Sequence, residues 1–585
     1  MKRSNYDKFP FVQVEAGNQS CHLGWETIGH VLNKKVETVD KRKKILVVEC
    51  YQGVDNKELV SHLKRTLDYR LWIDTGEAFK EENDIRGMVY PDVTDDRVFG
   101  FLSRLNMKDF LDTSKTDQLR QSIEELSEGI VVVYGPGASL VSSGYDVLVY
   151  ADMARWEIQL RMRRNEVSNL GVCNKEDDFA GKYKQAYFVD WRVCDRLKKQ
   201  LMHHWDYVLD TNTRDNPKLV VGKAILEGLE IAAHRPFRVV PFFDPGPWGG
   251  QWMKEVCDLD RSEDNYAWGF DCVPEENSLL LGFGDTKVEI PAINLVFNQT
   301  DNLLGPKVYA RFGDEFPIRF DFLDTMGGGH LSLQVHPLTE YIQEAFGMSY
   351  TQDESYYMLD VEDGAFVYLG LQDDINPDAM IRELKEAQEE GVAFDAEKHV
   401  KKWLVQKHDH VSIPAGTVHC SGAGSMVLEI SATPFIFTFK LWDWGRLGMD
   451  GKPRPINIER GEKVIQWDRT ASWVGENALN LVEPLGSGDG WREERTGLNE
   501  LEFIETRRHW FTGTITHHTQ GIVNVLNLVQ GREAIVESPS GAFAPFIIHY
   551  AETFIVPAAV GEYTVRPYGE AEGMECATIK AYVRT

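Results

Sequence analysis

The feature that most constrains the fold is a change in hydrophobic patterning near Arg235. Before it, short apolar runs rich in β-branched residues alternate with segments in which apolar residues recur every three or four positions. The first kind is typical of parallel strands covered on both faces, and the second of amphipathic helices. The predicted strands are 44–51, 130–135 and 146–151, and the predicted helices are 56–67, 116–127 and 154–164. Residues 1–235 are therefore predicted to form an α/β domain with a parallel sheet.

After Arg235 the chain becomes rich in Gly, Pro, Trp and Phe, with short alternating segments that begin at RPFRVVPFFDPGPWGGQW. This texture is typical of all-β structure. One solvated helix is predicted within residues 376–395, and a polar, glycine-rich stretch at 483–497 is predicted to separate a last β segment. The expected organisation is thus multidomain, with β domains at 236–482 and 483–585.

Charge and composition exclude several kinds of partner. The 585 residues carry a formal net charge of −28, which would repel nucleic acids and anionic membranes. A small anionic substrate needs local Arg or Lys residues that reverse this sign. No apolar run is long enough to cross a bilayer, no secretory signal begins the chain, and the eight cysteines include no C-x-x-C pair. We therefore expect a cytoplasmic protein with reduced thiols.

The α/β domain lacks the motif of a nucleotide-binding phosphate loop. No G-x-x-x-x-G-K-[ST] is present, since the first strand is followed by YQGVDNKEL, and the glycine-rich loop at 135–144 has no lysine. Gly135 and Gly137 are interpreted as turn glycines. In its order of strands and helices the domain resembles nucleoside-kinase-like P-loop folds without the Walker A motif, and the missing motif argues against kinase activity.

The stretch LSLQVHP at 331–337 predicts a metal site. Gln334 and His336 stand two positions apart, so they project from the same face of a strand. Glu354 precedes an aromatic-rich strand, and His419 follows a Pro-Ala-Gly turn. Taken singly, each is more often a structural residue. Together, two imidazoles, a carboxylate and an amide oxygen suit one Zn²⁺ per chain, although other divalent transition metals fit the same ligands.

Several motifs in this region resemble the type I phosphomannose isomerases, which are zinc enzymes of the cupin fold. They are PFFDPGPWGG (241–250), FPIRFDFLDT (316–325), LSLQVHP, DESYYML (353–359), IPAGTVHCSGAGSMVLEIS (413–431) and KLWDW (440–444). The resemblance implies two jelly-roll barrels and makes Gln334, His336, Glu354 and His419 the zinc ligands. The last segment, which places Glu562 or Tyr563 where a ligand histidine is expected, is predicted to be a second barrel without metal.

The implied reaction interconverts mannose 6-phosphate and fructose 6-phosphate through a cis-enediolate. It needs an acid/base and a group that holds negative charge on oxygen. The resemblance points to Glu429 as the acid/base and to Lys440 beside the reacting carbons. The substrate-binding candidates are Arg319, Ser332 and Arg446.

Two departures from the family pattern leave alternatives open. Lys440 stands where many members have arginine, and Asp321 stands where relatives usually have lysine. A flexible point charge is a poorer clamp than a planar guanidinium. The alternatives are an isomerase for another sugar, a non-catalytic sugar-phosphate-binding protein, and a bifunctional enzyme with an N-terminal phosphotransferase. A homo-oligomer is also left open.

Overall fold

A computed structural model describes residues 4–434, 436–449, 451, 453–497 and 502–585. The chain divides into two compact units, each of which is built from segments that are not contiguous in sequence. An α/β unit consists of Phe11–Ala232 and Glu275–Asn298, and a β unit consists of Ala233–Pro274 and Gln299–Thr585 together with the residues up to Pro10. Among the described residues, no helix combines the length and the apolar character that crossing a membrane requires.

The first segment of the α/β unit alternates strands and helices. Its strands are β1 (Phe11–Val14), β2 (Cys21–Leu23), β3 (Lys43–Cys50), β4 (Leu71–Asp74), β5 (Gly129–Gly135), β6 (Val147–Asp152), β7 (Tyr207–Asp210) and β8 (Lys218–Val221). Its helices are α1 (Trp25–Glu37), α2 (Asn56–Thr66), α3 (Glu82–Val93), α4 (Met107–Phe110), α5 (Thr113–Glu125), α6 (Ala138–Val141), α7 (Arg155–Arg163), α8 (Phe179–Gln185), α9 (Trp191–Leu201) and α10 (Gly222–Ala232). The runs at 44–51, 130–135 and 146–151 correspond to strands β3, β5 and β6, and the three periodic segments overlap helices α2, α5 and α7, of which α5 begins three residues before the predicted segment.

These strands form a seven-stranded sheet in the order β2-β8-β7-β6-β3-β5-β4. The five strands from β7 to β4 run parallel. At one edge, β8 pairs antiparallel with β7, and β2 pairs antiparallel with β8. The central strand β3 has Leu46, Val47 and Val48 fully buried, which explains its continuous apolar sequence.

The next elements alternate between the two units. They are β9 (Phe242–Asp244), α11 (Trp252–Val256) and β10 (Trp268–Cys272) of the β unit, followed by β11 (Ser278–Phe283), β12 (Thr286–Pro291) and α12 (Ile293–Asn298) of the α/β unit. Strands β1, β11 and β12 form a small separate sheet in which Phe11 pairs with Leu280. Residues 275–298, which lie inside the stretch predicted as the first β domain, thus pack with the α/β unit.

Two antiparallel sheets carry the candidate site in the β unit. The elements are α13 (Thr300–Leu304), α14 (Pro306–Phe312), β13 (Ile318–Asp324), β14 (Leu333–Val335), α15 (Thr339–Phe346), β15 (Glu354–Val361), β16 (Phe366–Leu371), α16 (Pro377–Glu390), α17 (Ala396–His399), β17 (Val400–Leu404), β18 (His410–Ile413), β19 (His419–Ser421), β20 (Ser425–Ala432), β21 (Phe439–Trp442), α18 (Ile458–Glu462) and α19 (Ala471–Asn477). Six strands pair in the order β18-β15-β20-β13-β10-β9 and five in the order β17-β16-β19-β14-β21.

Helix α16 is the helix predicted within 376–395. Its ends follow from sequence, because the Asn376 side chain accepts a hydrogen bond from the Ala379 amide and Gly391 takes a left-handed conformation. Met380 and Leu384 are buried, so the helix packs one face and is only partly solvated.

A second pair of antiparallel sheets follows. The strands are β22 (Val482–Gly488), β23 (Trp491–Thr496), β24 (Ile504–Phe511), β25 (Ile515–His518), β26 (Asn524–Gln530), β27 (Glu533–Glu537), β28 (Phe546–His549), β29 (Thr553–Val556), β30 (Glu562–Pro567) and β31 (Cys576–Val583). They form the orders β22-β23-β24-β31-β26-β29 and β25-β30-β27-β28, with an apolar core contributed by both sheets. The prediction of a separating linker at 483–497 is wrong, because this stretch forms the hairpin of β22 and β23.

Candidate metal centre

The LSLQVHP segment supplies two side chains to one buried cluster. Strand β14 pairs with β19 so that Gln334 lies opposite His419. Leu333 and Val335 are fully buried on alternate positions, and Gln334 and His336 project from the other face. The strand therefore presents its polar pair toward Glu354, at the start of β15 in the facing sheet.

Three ligand-type side chains converge within this cluster. Nε2 of His336 lies 3.2 Å from Oε2 of Glu354, and Nε2 of His419 lies 2.8 Å from Oε1 of the same carboxylate. The ligand atoms of all three residues fall within 4.8 Å of one another, and each side chain is at most 1% exposed. Such spacing lets all three reach one ion.

The outer ring nitrogens fix how the two imidazoles point. Nδ1 of His336 lies 3.2 Å from the Phe437 carbonyl oxygen, and Nδ1 of His419 lies 2.9 Å from the Thr417 carbonyl oxygen. A carbonyl only accepts hydrogen bonds, so each Nδ1 carries the proton and each Nε2 offers a lone pair to the centre.

The inward-facing nitrogen and oxygen atoms of the cluster are better suited to bind a metal ion than to form hydrogen bonds with one another. Nε2 of His336 and Oε1 of Glu354 are buried and make no hydrogen bond of acceptable geometry within the described residues. Burial alone would raise the pKa of the Glu354 carboxyl, yet the two adjacent imidazoles, when they are protonated, hold that pKa well below its usual range. A metal ion in the place of those protons would likewise favour the ionised carboxylate. An ionised carboxylate and two inward lone pairs form the donor set of a divalent transition metal.

Gln334 completes the cluster through its amide. Its Nε2 lies 3.2 Å from Nε2 of His419, and its Oε1 accepts a 3.0 Å hydrogen bond from the Ser332 hydroxyl. The hydroxyl can donate or accept, so the amide remains bonded to Ser332 when it is turned to present its oxygen to the centre. Ser332 is 2% exposed and orients Gln334, rather than meeting a backbone group.

A charged network lies beside the ligands on β13 and β20. Asp321 faces Glu429, and Arg319 faces Ser431, across the two strands. The Arg319 guanidinium contacts the Glu429 carboxylate, lies 3.1 Å from Asp321 and donates a 3.1 Å hydrogen bond to the Ser431 hydroxyl. Arg319 thus points to the same face as Glu429, and Asp321 is held as its second counter-ion.

This environment perturbs both carboxyl groups. Burial raises the pKa of Glu429 well above its usual range despite the attraction of Arg319, and Asp321 and Glu354 raise it further. Burial raises the pKa of Asp321 to about 6. Glu429 is therefore a carboxyl group that holds its proton more tightly than it would in water.

Sequence reasoning missed Gln352, which links the network to the ligands. Its Nε2 donates to Glu354 Oε2 at 2.9 Å and to Glu429 Oε1 at 3.1 Å. The same two-residue spacing that singled out Gln334 and His336 relates Gln352 to Glu354, and this signal would have found it.

Lys440 and Arg446 take different positions. Lys440 lies opposite Gln334 in the pairing of β14 with β21, and is half-buried on the face of that pair that carries Gln334. Arg446 instead forms an ion pair with Asp443, which Arg454 also contacts. The structure brings Lys440 next to a ligand strand and engages Arg446 in a separate ion-pair network.

The remaining histidines of this region are structural. Nδ1 of His330 accepts a hydrogen bond from the Ala423 amide at 2.9 Å. His410 is fully buried between Thr496 and Ser355, and burial lowers its pKa to about 3. His408 lies 3.0 Å from the Tyr357 hydroxyl.

Carboxylates of the α/β unit accept hydrogen bonds from amides in the loops that follow β3 and β5. The Glu49 carboxylate accepts hydrogen bonds from the amides of Gly137 and Ser139 at 2.6 and 2.8 Å. Asp55 caps helix α2 by accepting from the Lys57 and Glu58 amides. A cleft of about 900 Å³ lies beside these loops, but the amide donors that would hold a phosphate are already satisfied.

The fold and the cluster define a β-sandwich protein with a buried candidate metal centre between its sheets. A family model described as a domain of unknown function, DUF8485, matches residues 24–234.

Three known proteins illustrate the similarity of the chain. Mannose-6-phosphate isomerase ManA of Bacillus subtilis (strain 168) is 29% identical over 259 residues, which are 44% of this chain and 74% of that protein. Mannose-6-phosphate isomerase of Streptococcus mutans serotype c is 27% identical over 176 residues, which are 29% of this chain and 52% of that protein. The crystal structure of mannose 6-phosphate isomerase from Bacillus subtilis covers 60% of this chain and 100% of its own, at 16% identity and a TM-score of 0.49.

Proposed function

We propose that this protein is a metal-dependent aldose–ketose isomerase that interconverts mannose 6-phosphate and fructose 6-phosphate. The observation that carries the proposal is the inward convergence of His336, Glu354 and His419, with unpaired ligand atoms, beside the buried Glu429. The names of the similar proteins support the same activity.

The reaction moves one proton between C2 and C1 of the open-chain sugar. In our proposal, Glu429 removes the proton from C2 of mannose 6-phosphate and returns it to C1, while a second proton passes between O1 and O2. The pKa of Glu429, raised chiefly by burial, suits a group that must both accept and release a proton near neutral pH. Its hydrogen bonds to Arg319, Ser431 and Gln352 hold the carboxyl in place.

Gln334, His336, Glu354 and His419 would hold the metal, which we propose to be zinc. A divalent ion at this position supplies stabilisation for the negative charge that develops on the sugar oxygens. Lys440, on the neighbouring strand, would add a cation on the Gln334 side of the site. Ser332 acts in this scheme by orienting Gln334, and Arg319 by orienting Glu429.

We propose that the α/β unit has a kinase-like fold that has lost phosphate transfer. Numbered along the chain from β3 to β7, its parallel strands lie in the spatial order second, third, first, fourth, fifth. The engagement of Glu49 and Asp55 with the loop amides supports a loss of phosphate binding.

The test is a coupled assay for fructose 6-phosphate formed from mannose 6-phosphate, with bound metal measured by elemental analysis. We expect turnover by the zinc-loaded protein and none after chelation or in His336→Ala. His204→Ala, which removes an exposed histidine of the α/β unit, is the matched control and should keep full activity. Retained metal without turnover, together with binding of the sugar phosphate, would favour the non-catalytic alternative.

A further inference from the structure

The C-terminal pair of sheets contains a second pocket, of about 360 Å³. Its polar lining comes from β23, β24 and β31 of one sheet and from β25 of the other. Arg507 lies opposite Lys580, and Glu493 lies opposite His509, so these four residues share one face of the sheet. This volume falls within the range of about 300–1,000 Å³ that small-molecule sites occupy.

Two histidines in the lining have unsatisfied ring nitrogens. His509 and His517 are 1% and 4% exposed, and their rings meet edge to face at 4.5 Å. Nδ1 of His509 and Nε2 of His517 make no hydrogen bond within the described part of the chain. Buried polar atoms are rarely left in this state unless a ligand or water pairs with them.

The outer contacts of the rings fix what each unsatisfied nitrogen offers. Nε2 of His509 lies 3.2 Å from the Glu493 carboxylate, so this nitrogen carries the proton and Nδ1 is an acceptor. Nδ1 of His517 lies 3.5 Å from the Lys580 ammonium, so Nε2 carries the proton and is a donor. The pocket therefore presents one acceptor and one donor from neighbouring rings.

Lys580 lacks a counter-ion in direct contact. It is 7% exposed and, within the described residues, forms no ion pair, because the nearby Glu493 is engaged by Arg507 at 2.9 Å. Burial lowers the pKa of Lys580 to about 8, so the amine is still largely protonated at neutral pH. A buried ammonium without a partner is costly, and an anion in the pocket would remove that cost.

We infer that this pocket binds a small hydroxylated anion, with its phosphate or carboxylate at Lys580 and Nε2 of His517 and a hydroxyl donating to Nδ1 of His509. An anion without an O–H group, such as sulfate, would satisfy the lysine and the donor but leave the acceptor unpaired. A neutral sugar would satisfy the rings but leave the ammonium without a counter-ion. Only a molecule with both groups meets all three, and the site is independent of the proposed isomerase centre.

The test follows acetylation of Lys580 in the full chain by mass spectrometry, with Lys385 on helix α16 as an internal reference. The probes are fructose 6-phosphate, gluconate, neutral fructose and sulfate. We expect fructose 6-phosphate, gluconate or both to slow labelling of Lys580 several-fold, with Lys385 unchanged and with much weaker protection by the other two. The difference between the first two probes identifies a phosphate or a carboxylate as the preferred anion.

Calorimetry on His336→Ala protein separates this site from the first pair of sheets. In that background the preferred anion should still bind, and either Lys580→Met or His517→Phe should raise its Kd about tenfold or more, since each removes a hydrogen bond that involves a charged group. Lys385→Met is the matched control. Absence of protection by both fructose 6-phosphate and gluconate, or equal protection by fructose or by sulfate, would overturn the inference. So would an unchanged Kd in His517→Phe, which retains a ring to stack on Tyr563.

Discussion

Replacing Arg319 with methionine should strongly destabilise the β unit. The guanidinium is 4% exposed and is the shared partner of Asp321 and Glu429, which are 1% and 4% exposed. Removing one partner of a buried ion pair costs about 3–5 kcal/mol, because the remaining charge stays buried. At about 2 °C per kcal/mol for a large domain, the melting temperature should fall by about 6 °C or more.

The loss should depend on pH in a defined direction. The pKa of Asp321, raised by burial to about 6, lies above its ordinary value of about 3.9 in an unfolded chain. A carboxyl with a raised folded-state pKa lowers stability as the pH rises between these two values, and losing Arg319 raises that pKa further. Arg319→Met should therefore be closer to the parent protein at pH 5 than at pH 8.

Scanning calorimetry at both pH values measures these effects. Arg382→Met is the control, since Arg382 is exposed and its pairs on helix α16 lie on the surface. Adding Glu429→Gln to Arg319→Met should recover part of the loss by removing one unpaired charge. An Arg319→Met protein that melts like the Arg382→Met protein, or that is more impaired at pH 5, would refute the assignment of a buried charged network.

Three further outcomes are expected. Glu354→Gln should lower bound metal and reduce isomerase turnover by more than about 100-fold, since even residues that only support metal ligands often contribute 10–100-fold; elemental analysis and the coupled assay check this. Lys440→Arg should raise kcat with little change in KM if a planar cation stabilises the enediolate, and an unchanged kcat would contradict that role. Burial raises the pKa of Glu49, Asp190 and Glu276 to about 7, so the α/β unit should lose stability from pH 5 to pH 8, measured by hydrogen exchange of its peptides, and Glu276→Gln should flatten the dependence.

Local sequence patterns predicted those elements whose apolar residues follow the burial of the segment. The apolar run of β3 matches a buried strand, and the periodicity of α2 and α5 matches helices that bury one face. The hairpin of β22 and β23 could not be read in this way, because β22 is exposed on both faces and has no apolar alternation. Its strand character comes from pairing with β23, which in turn pairs with β24.

The assignment of residues 275–298 to the α/β unit cannot be predicted from local sequence patterns. β11 is a short buried apolar run and β12 a short strand of mixed burial, and nothing near them in sequence indicates the α/β unit. Their place is set by pairing with β1, about 270 residues earlier, where Phe11 meets Leu280. Such a pairing depends on chain topology, which a window of sequence does not contain.

The candidate metal ligands were predicted because unusual residue types stood at strand spacing within apolar segments. The structure brings His336, Glu354 and His419 together as that reading required. His509 escaped notice for the opposite reason, because its strand already carries Glu505, Arg507 and Arg508. Lys580 is the single charged residue of its strand, and the side chains around it become apparent when the sheets are assembled.

The two pairs of sheets both turn polar residues inward, and the charge around those residues explains why each pair suits a different ligand. Around His336 and His419 the fixed charge is the Glu354 carboxylate, and both rings offer lone pairs, so a cation is favoured. Around His509 the Arg507 guanidinium is paired with Glu493 and Glu505, whereas the Lys580 ammonium forms no ion pair within the described residues. One ring there offers a proton. At an effective dielectric constant near 20, a unit charge about 4 Å away contributes about 4 kcal/mol per charge, enough to exclude a divalent cation there and to favour an anion. The same inward-facing geometry therefore favours a cation in one pair of sheets and an anion in the other.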